Sequence, residues 1–446
     1  MSRRHSTGTR TAGTKLPVRQ RIELSLARMF APTGRWLAKP KNLRHLWWIP
    51  ATNSRGVQPK VGPWEVSDVR VPQNLMGEPG IRRIIDEERK SFEKNPLPNF
   101  HRLHNEAMEW SLIQMWRSLL PSMPQFLRAQ RRVETIVEAA EANKVATPRD
   151  TFYIVDERLD EAFRRFAADV GLSAIGVTGQ DEKYVVAEYQ STVQPEDRVI
   201  VAVLEQNWDA TQSAPSSRAE RSAFAAYAVL MEMSAKLCAY LIEQGYSAHV
   251  HASEGEGMAI NYAVQAGLGQ LGMNGQLLTP IAGSRCRLKL ITTNAPLTIG
   301  EPVDMGIEKL CDDCQICVRR CPSGALTSVR REHRGVIKAK LNTTRCLPVV
   351  AQADGCAICM KVCPVQRFGL QPVLDHWEET GDILGKHTDE LEAYNWIDGR
   401  RYGSAERPKL PRNFFNPGGL NFDVNRISDP SVQTEGGFFA DGGKSE

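Results

Sequence analysis

Two stretches, Cys311-Asp312-Asp313-Cys314-Gln315-Ile316-Cys317-Val318-Arg319-Arg320-Cys321-Pro322 and Cys346-x9-Cys356-Ala357-Ile358-Cys359-Met360-Lys361-Val362-Cys363-Pro364, hold eight of the ten cysteines of this 446-residue chain. A cubane iron–sulfur cluster needs four thiolates arriving from different directions. Closely spaced cysteines on a tight loop grip neighbouring irons, and a distant cysteine takes the remaining one. Where such runs are paired, the fourth cysteine of each run ligates the other cluster. The spacing therefore assigns Cys311, Cys314, Cys317 and Cys363 to one [4Fe–4S] cluster, and Cys321, Cys346, Cys356 and Cys359 to a second. Two tetrahedral zinc sites are the rival reading. Zinc ribbons pair C-x2-C knuckles, however, whereas the C-x2-C-x3-C-P ending occurs here twice. Two adjacent clusters make a path for single electrons. Arg319, Arg320 and Lys361 lie beside the loops, either raising the cluster potentials or as solvated surface charges. Cys238 and Cys286 stand apart from both runs and read as buried packing thiols.

Outward from the cysteines, the composition describes a folded body with a charged appendage. Hydrophobic residues make up 41% and charged residues 24%, which suits a globular core rather than disorder. The net charge of +4 hides an asymmetry: residues 1–60 carry thirteen Lys and Arg against the single acid Glu23, and the remainder is acidic. No apolar run reaches the roughly 20 residues of a membrane span. Ser2-Arg3-Arg4-His5-Ser6 suggests a twin-arginine signal, but Thr7-Gly8-Thr9-Arg10-Thr11 follows where an apolar region should be. The expectation is a cytoplasmic protein, with the basic arm clamped on the acidic body or drawn to an acidic partner or a membrane surface.

Residues 1–80 read as an extended basic arm with a short helix near 21–30, packing by isolated aromatics such as Trp36, Trp47, Trp48 and Trp64. Residues 81–150 read as helical, with helices over 80–95, 104–120 and 125–144, and Pro121 and Pro124 punctuating the last two. From 151 to 300 helices alternate with strands. Helices are expected over 156–170, 217–244 and 257–266, and strands over 172–177, 199–204, 246–251 and 285–292. Residues 301–370 form the cysteine module, and 371–446 read as an irregular wrap. No repeat of 20–50 residues stands out.

Some 300 residues precede the clusters, so something in them uses the electrons. Gly267-Leu268-Gly269-Gln270-Leu271-Gly272 matches G-x-G-x-x-G, but a helical pattern precedes it and an extended one follows. That inverts the dinucleotide-binding context, so a turn allowing close backbone approach is the better reading. Asn261-Tyr262-Ala263-Val264-Gln265-Ala266-Gly267-Leu268-Gly269-Gln270-Leu271-Gly272, with Leu277-Leu278-Thr279-Pro280, Arg285-Cys286-Arg287-Leu288 and Ile291-Thr292-Thr293-Asn294-Ala295-Pro296-Leu297, resembles a segment shared by reductive dehalogenases and epoxyqueuosine reductases. The resemblance covers roughly residues 150–370. It implies an α+β fold: a nitroreductase-like cobalamin-binding core, with Gly267, Gly269 and Gly272 at the cofactor, followed by a ferredoxin-like domain with two [4Fe–4S] clusters. The short gap from Cys346 to Cys356, the non-repetitive tail, and Tyr227 on a helix leading to Gly245-Tyr246-Ser247-Ala248 favour the dehalogenase side. No D-x-H-x-x-G corrinoid signature is present, so the resemblance implies cobalamin without a histidine lower ligand.

The same resemblance implies a tyrosine proton donor with a basic partner. Tyr227 is the candidate donor, Arg287 the first candidate partner and Arg285 the second. Arg285, Arg287 and Lys289 alternate along one strand and should share a face. Against this, Phe224, Tyr227, Met231 and Cys238 form a helical stripe that would place Tyr227 in the core, and Arg287 suits a solvated strand face. Glu254 and Glu256 stand where the epoxyqueuosine reductases carry an acidic donor, but the loop around them suits solvated charges. The expected activity is removal of halide from an organohalide, with electrons from a separate ferredoxin, flavodoxin or reductase. The rivals are epoxide reduction in a tRNA base and non-catalytic electron transfer or corrinoid carriage.

Overall fold

Asp156 opens the α/β part of the chain by folding its carboxylate over the next turn. In the computed structural model it accepts the N–H groups of Arg158 and Leu159, both at 3.1 Å, satisfying two of the donors a helix start leaves without partners. The structure describes residues 118, 120–143, 155–181, 184, 196–251, 257–333, 336–339, 341, 346, 349–350 and 352–410. The basic arm, the helices expected before residue 118, the loop with Glu254 and Glu256, and the tail beyond 410 lie outside these.

The elements run α1 (Leu120–Ala142), α2 (Glu157–Val170), β1 (Ala174–Gly179), β2 (Arg198–Glu205), α3 (Trp208–Gln212), α4 (Ser217–Glu243), β3 (Ala248–Val250), α5 (Ala259–Gln265), the short pair β4 (Gln270–Leu271) and β5 (Leu277–Leu278), and β6 (Cys286–Thr293). Pro121 and Pro124 do not punctuate α1 as expected. They fall within its first five residues, where few backbone N–H groups have an intrahelical acceptor to lose. α2 ends on Gly171 at φ 96°, a left-handed position that suits glycine.

β1, β2, β6 and β3 form one antiparallel sheet in that order. Its centre is buried on both faces. Ile200, Ala202 and Ile291 join Leu230, Leu237 and Leu241 of α4 and Phe163 of α2 in one core. Val199, Val201 and Leu290 join Tyr262, Ala263 and Val264 of α5 in another. The two-residue period of a strand therefore puts Arg287 and Lys289 on the same face as Ile291, the face that α4 covers. α1 lies over α4, with Phe126, Ala129 and Val133 against Ala228, Met231 and Ala235. The architecture is α+β, as expected.

Among the described residues α4 is long and apolar enough, by length and composition alone, to cross a membrane, and most of its apolar window is buried inside the fold, as in a core helix.

The cysteine module adds α6 (Ile307–Cys314), α7 (Ile316–Arg320), β7 (Arg331–His333), β8 (Val336–Lys338), α8 (Ile358–Lys361), α9 (Pro364–Phe368), α10 (Leu370–Thr380), α11 (Asp389–Glu392), β9 (Tyr394–Asn395) and β10 (Arg401–Tyr402). The stretch after 370, expected to be irregular, opens instead with the eleven-residue helix α10. Leu391, Tyr394, Trp396, Tyr402 and Leu410 share one core with Ile307, Leu310, Cys311 and Val365, so the module packs as one unit through Leu410. The helix was hard to read because no side chain caps its start.

Candidate functional site

The two cysteine runs adopt matching local backbones. Gln315, after Cys314, has φ 53°, and Ala357, after Cys356, has φ 55°. A left-handed residue between two cysteines turns the backbone N–H groups back toward sulfur. Ile316 N–H then donates to Cys314, and Ile358 N–H donates to Cys356. Pro364 occupies the first turn of α9 behind Cys363, whose sulfur accepts the N–H groups of Gln366 and Val365. Ala325 N–H donates to Cys321 Sγ at 3.3 Å.

The sulfurs gather into two neighbourhoods. Cys314 faces Cys363 and Cys311, and Cys317 faces Cys314, Cys311, Cys359 and Cys363. Cys346 faces Cys356, Cys321 and Cys359. Cys359 stands between the groups, facing both Cys321 and Cys363. A cavity lined by Cys311, Cys314, Cys317, Cys359 and Cys363 lies at the first group. Cys311, Cys314, Cys317 and Cys363, the set that the spacing groups together, all line this one cavity. Burial pushes Cys359 and Cys363 up to about 12 as free thiols, and facing sulfurs push the same way. Bound iron reverses that preference, because a coordinating thiol is held as thiolate.

Two of the three cations beside the loops, Arg320 and Lys361, are buried, and Arg319 is half-buried. Arg320 is 1% exposed. It stacks 4.8 Å from the Tyr394 ring centre, and its Nε lies 3.8 Å from Glu392 Oε2. Arg319 pairs with the other oxygen of Glu392. Lys361 Nζ donates to the Ala393 carbonyl at 2.7 Å. Burial, helped by Arg367, Arg401 and Arg320, lowers the Lys361 amine to about 8.

On the sheet side, Tyr227 is 39% exposed on α4. The apolar stripe that includes it is buried at Met231 and Cys238, but Tyr227 itself is not core. The Arg287 guanidinium lies 4.8 Å from the centre of its ring. Arg285, expected on the same strand face, turns instead into a buried pair, with Nη2 2.9 Å from Glu205 Oε2. Cys238 and Cys286 are buried as expected; desolvation raises their thiols to about 12 and about 11.

Comparisons with known proteins divide along the same line. Residues 310–367 match the family model of a 4Fe-4S dicluster domain. The tetrachloroethene reductive dehalogenase of Sulfurospirillum multivorans is 32% identical over 177 residues, which cover 38% of this chain and 35% of that protein. Over this stretch the chain is similar to the tetrachloroethene reductive dehalogenases. An epoxyqueuosine reductase of Synechococcus sp. (strain RCC307) is 31% identical over 140 residues, covering 30% of this chain and 43% of that one. The relatives in both groups are oxidoreductases. A solved catabolic reductive dehalogenase in complex with 3-bromo-4-hydroxybenzoic acid aligns at TM-score 0.47 and 19% identity, over 69% of this chain and 41% of that one. The chain thus spans about a third of the length of the dehalogenases it matches in sequence.

The glycine-rich segment has a packing reason. A β-carbon on Gly267 would stand 2.6 Å from the Glu301 carbonyl oxygen; one on Gly269 would overlap the Leu278 carbonyl, and one on Gly272 the Leu278 side chain. The expected close approach is therefore to the chain's own atoms. The hairpin so formed delivers Met273, one residue after Gly272, whose N–H donates to Cys311. The cofactor position this segment borders is the first cysteine group.

The two halves meet through residues the sequence did not single out. Arg367 of α9 stacks 4.6 Å from the Trp208 ring centre. Gln212 Nε2 donates to Gln366 Oε1 at 3.1 Å. Gly355, beside Cys356, leaves no room for a β-carbon against the Glu220 carboxylate in the first turn of α4. Tyr227 lies seven residues further along that helix, roughly 10 Å at 1.5 Å per residue. Only register across folded elements joins these positions, so no local pattern could have named them.

Proposed function

We propose that the chain is a cobalamin- and iron–sulfur-dependent oxidoreductase of the reductive dehalogenase type, which removes halide from an organohalide. The observation that carries this is Arg287 stacked on an exposed Tyr227, on a helix whose first turn rests against the second cysteine loop. The eight cysteines would hold two [4Fe–4S] clusters in the sets given by their spacing. The exposed Tyr227 phenol under the Arg287 guanidinium, and the 38%-exposed Trp208 stacked on Arg367 of the cysteine module, are surfaces that a large planar cofactor could cover. Cobalamin bound there supplies a low-valent cobalt centre able to cleave a carbon–halogen bond.

The overall reaction consumes two electrons and one proton per halide released. Electrons enter from a separate donor protein and pass the cysteine module. Tyr227 Oη gives its proton to the carbon that loses halide. The phenolate left behind faces the Arg287 guanidinium. Tyr227 then regains a proton from solvent through its exposed side.

Corrinoid and iron analysis of the reconstituted protein tests this, with electron paramagnetic resonance before and after adding halogenated phenols. A halide-dependent Co(II) change is the expected result. A protein that binds no corrinoid overturns the reading. Turnover of an epoxide in a tRNA base, lost in Glu254→Gln but kept in Tyr227→Phe, would place it with the epoxyqueuosine reductases instead. We infer a cytoplasmic setting, with residues 1–60 free to meet an acidic partner or membrane surface. Salt-sensitive vesicle pelleting that survives deletion of residues 1–45 would remove the membrane part of that inference.

A further inference from the structure

The short helix α3 lays one face on α9. Trp208 and Gln212 stand four residues apart and so share that face; Trp208 receives the Arg367 guanidinium, and Gln212 meets Gln366. Gln366 is buried, three residues past Cys363. Its side-chain amide is held at both ends. Gln212 Nε2 donates to Gln366 Oε1 at 3.1 Å, and Gln366 Nε2 donates to the Lys361 carbonyl at 3.3 Å. Each end of the amide thus meets its complement. The Gln366 main chain is fitted as closely: a β-carbon on Gly283, in the turn before β6, would stand 2.8 Å from the Gln366 nitrogen. Gln212 and Gly283 belong to the sheet half of the molecule. Lys361 and Gln366 belong to the cysteine module and lie on either side of Cys363, whose sulfur accepts the Gln366 N–H.

We propose that Gln366 is a positioning residue through which the sheet half sets the potential of the first cluster. The role rests on the assignment of Cys363 to that cluster in the proposed oxidoreductase. An N–H donated to a ligand sulfur stabilises the reduced cluster, which is the more negative state, and such hydrogen bonds are among the levers that set cluster potentials. The bond is only as good as the placement of Gln366 relative to Cys363. α9 has five residues and few intrahelical hydrogen bonds of its own to fix that placement. The Gln212 and Gly283 contacts fix it from outside. A buried amide suits the task, because it accepts from one half and donates to the other without adding charge beside the cluster. The sequence gives no hint of this, because Gln212 and Gln366 lie 154 residues apart.

The test is a redox titration of the full-length, cluster-loaded protein, followed by electron paramagnetic resonance, in Gln212→Leu and Gln366→Leu. Each should move the midpoint of the signal lost in Cys314→Ala to lower potential and leave the midpoint of the other signal in place. The double variant should shift no further than Gln366→Leu, because both changes remove the same hold. Unmoved midpoints in folded Gln212→Leu overturn the proposal. Equal shifts of both signals overturn it too, since a general loosening of the module would give that result. If Gln366→Leu does not fold, Gln212→Leu decides, because its change lies outside the cysteine module. Cys363→Ala keeps the two readings apart. Loss of the first signal there, with no shift in the glutamine variants, defeats the positioning role alone. Retention of both signals in Cys363→Ala defeats the cluster assignment and the role with it.

Discussion

The Arg287 guanidinium covers the Tyr227 ring at 4.8 Å from its centre, across the gap between β6 and α4. The contact joins residues 60 positions apart in sequence, and the antiparallel register sets it: Arg287 pairs with Leu204 and lies on the α4 face. A proton donor in the proposed reaction must leave an anion behind, and this contact supplies the compensating charge. Tyr227→Phe should lower turnover by about 100-fold or more, the usual scale for a lost general acid. Reduction of the clusters by dithionite should proceed as in the unaltered protein. Arg287→Lys should also lose activity, since an ammonium cannot reproduce a planar, stacked fork. Steady-state kinetics beside stopped-flow cluster reduction checks both.

The crossed assignment of the cysteines predicts which variants behave alike. Cys314→Ala and Cys363→Ala should lose the same paramagnetic signal, although the two residues sit in different runs. Cys321→Ala and Cys356→Ala should lose the other. Each variant should fall from about eight irons to about four. Cys359 is the critical position, because it faces both groups. Should Cys359→Ala remove the signal lost in Cys314→Ala, the assignment by spacing is wrong at that residue.

Gly269→Ala should destabilise the protein whether or not any cofactor is present. The new β-carbon would collide with the Leu278 carbonyl, a backbone atom that cannot swing aside. Overpacking of this kind costs about 1–3 kcal/mol, and each kcal/mol lowers Tm by about 2–4 °C in a domain of roughly 150–250 residues. Differential scanning calorimetry with and without reconstituted cofactor separates the possibilities. Destabilisation confined to the loaded protein would assign the glycine to ligand contact rather than packing.

How far the sequence carried depends on where the chemistry is local. The cysteine runs declare themselves because four ligands on one tight loop need fixed spacing. The same logic holds for α2, whose cap, apolar stripe and terminal glycine all fall within sixteen residues. The strands of the four-stranded sheet were legible to within two residues, because β2 is a continuous apolar run and β6 alternates basic with apolar residues before its apolar end. Three features were not legible. α10 starts without a side-chain cap. The exposure of Tyr227 depends on what faces α4, not on α4. Glu220 matters only through a partner on another element, Gly355 beside Cys356.

The two isolated thiols give a pH test. Burial raises Cys238 to about 12 and Cys286 to about 11, whereas an unfolded thiol titrates near 8.5. Between those values the native state holds more protons than the unfolded chain, so stability falls as pH rises through that window. Below it both thiols are neutral and unreactive. At pH 8 in native, cluster-loaded protein, neither should be alkylated by iodoacetamide, and both should be alkylated after unfolding. Rapid native labelling of Cys286 would show that its strand end opens more readily than the buried Arg285–Glu205 pair beside it implies.

Glu392 offers the sharpest stability test in the cysteine module. Its carboxylate is fully buried and faces both Arg319 and Arg320, while the His387 N–H donates to the same group at 2.7 Å. Arg320 is itself buried, so removing the acid leaves a guanidinium with no counter-charge inside the fold. Breaking a buried pair in this way costs about 3–5 kcal/mol, far more than an exposed pair is worth. The figure belongs to the Arg320 side, because Arg319 is 35% exposed and solvent screens it. Glu392→Gln should therefore lower Tm sharply, and because Tyr394 Oη donates to the Arg320 carbonyl at 3.2 Å, the loosened segment should also shed iron faster from the second cysteine group. Thermal melts and chelator-driven iron loss, followed in parallel, measure the two effects. A lowered Tm with unchanged iron release would confine Glu392 to packing of the C-terminal strands and detach it from the cluster.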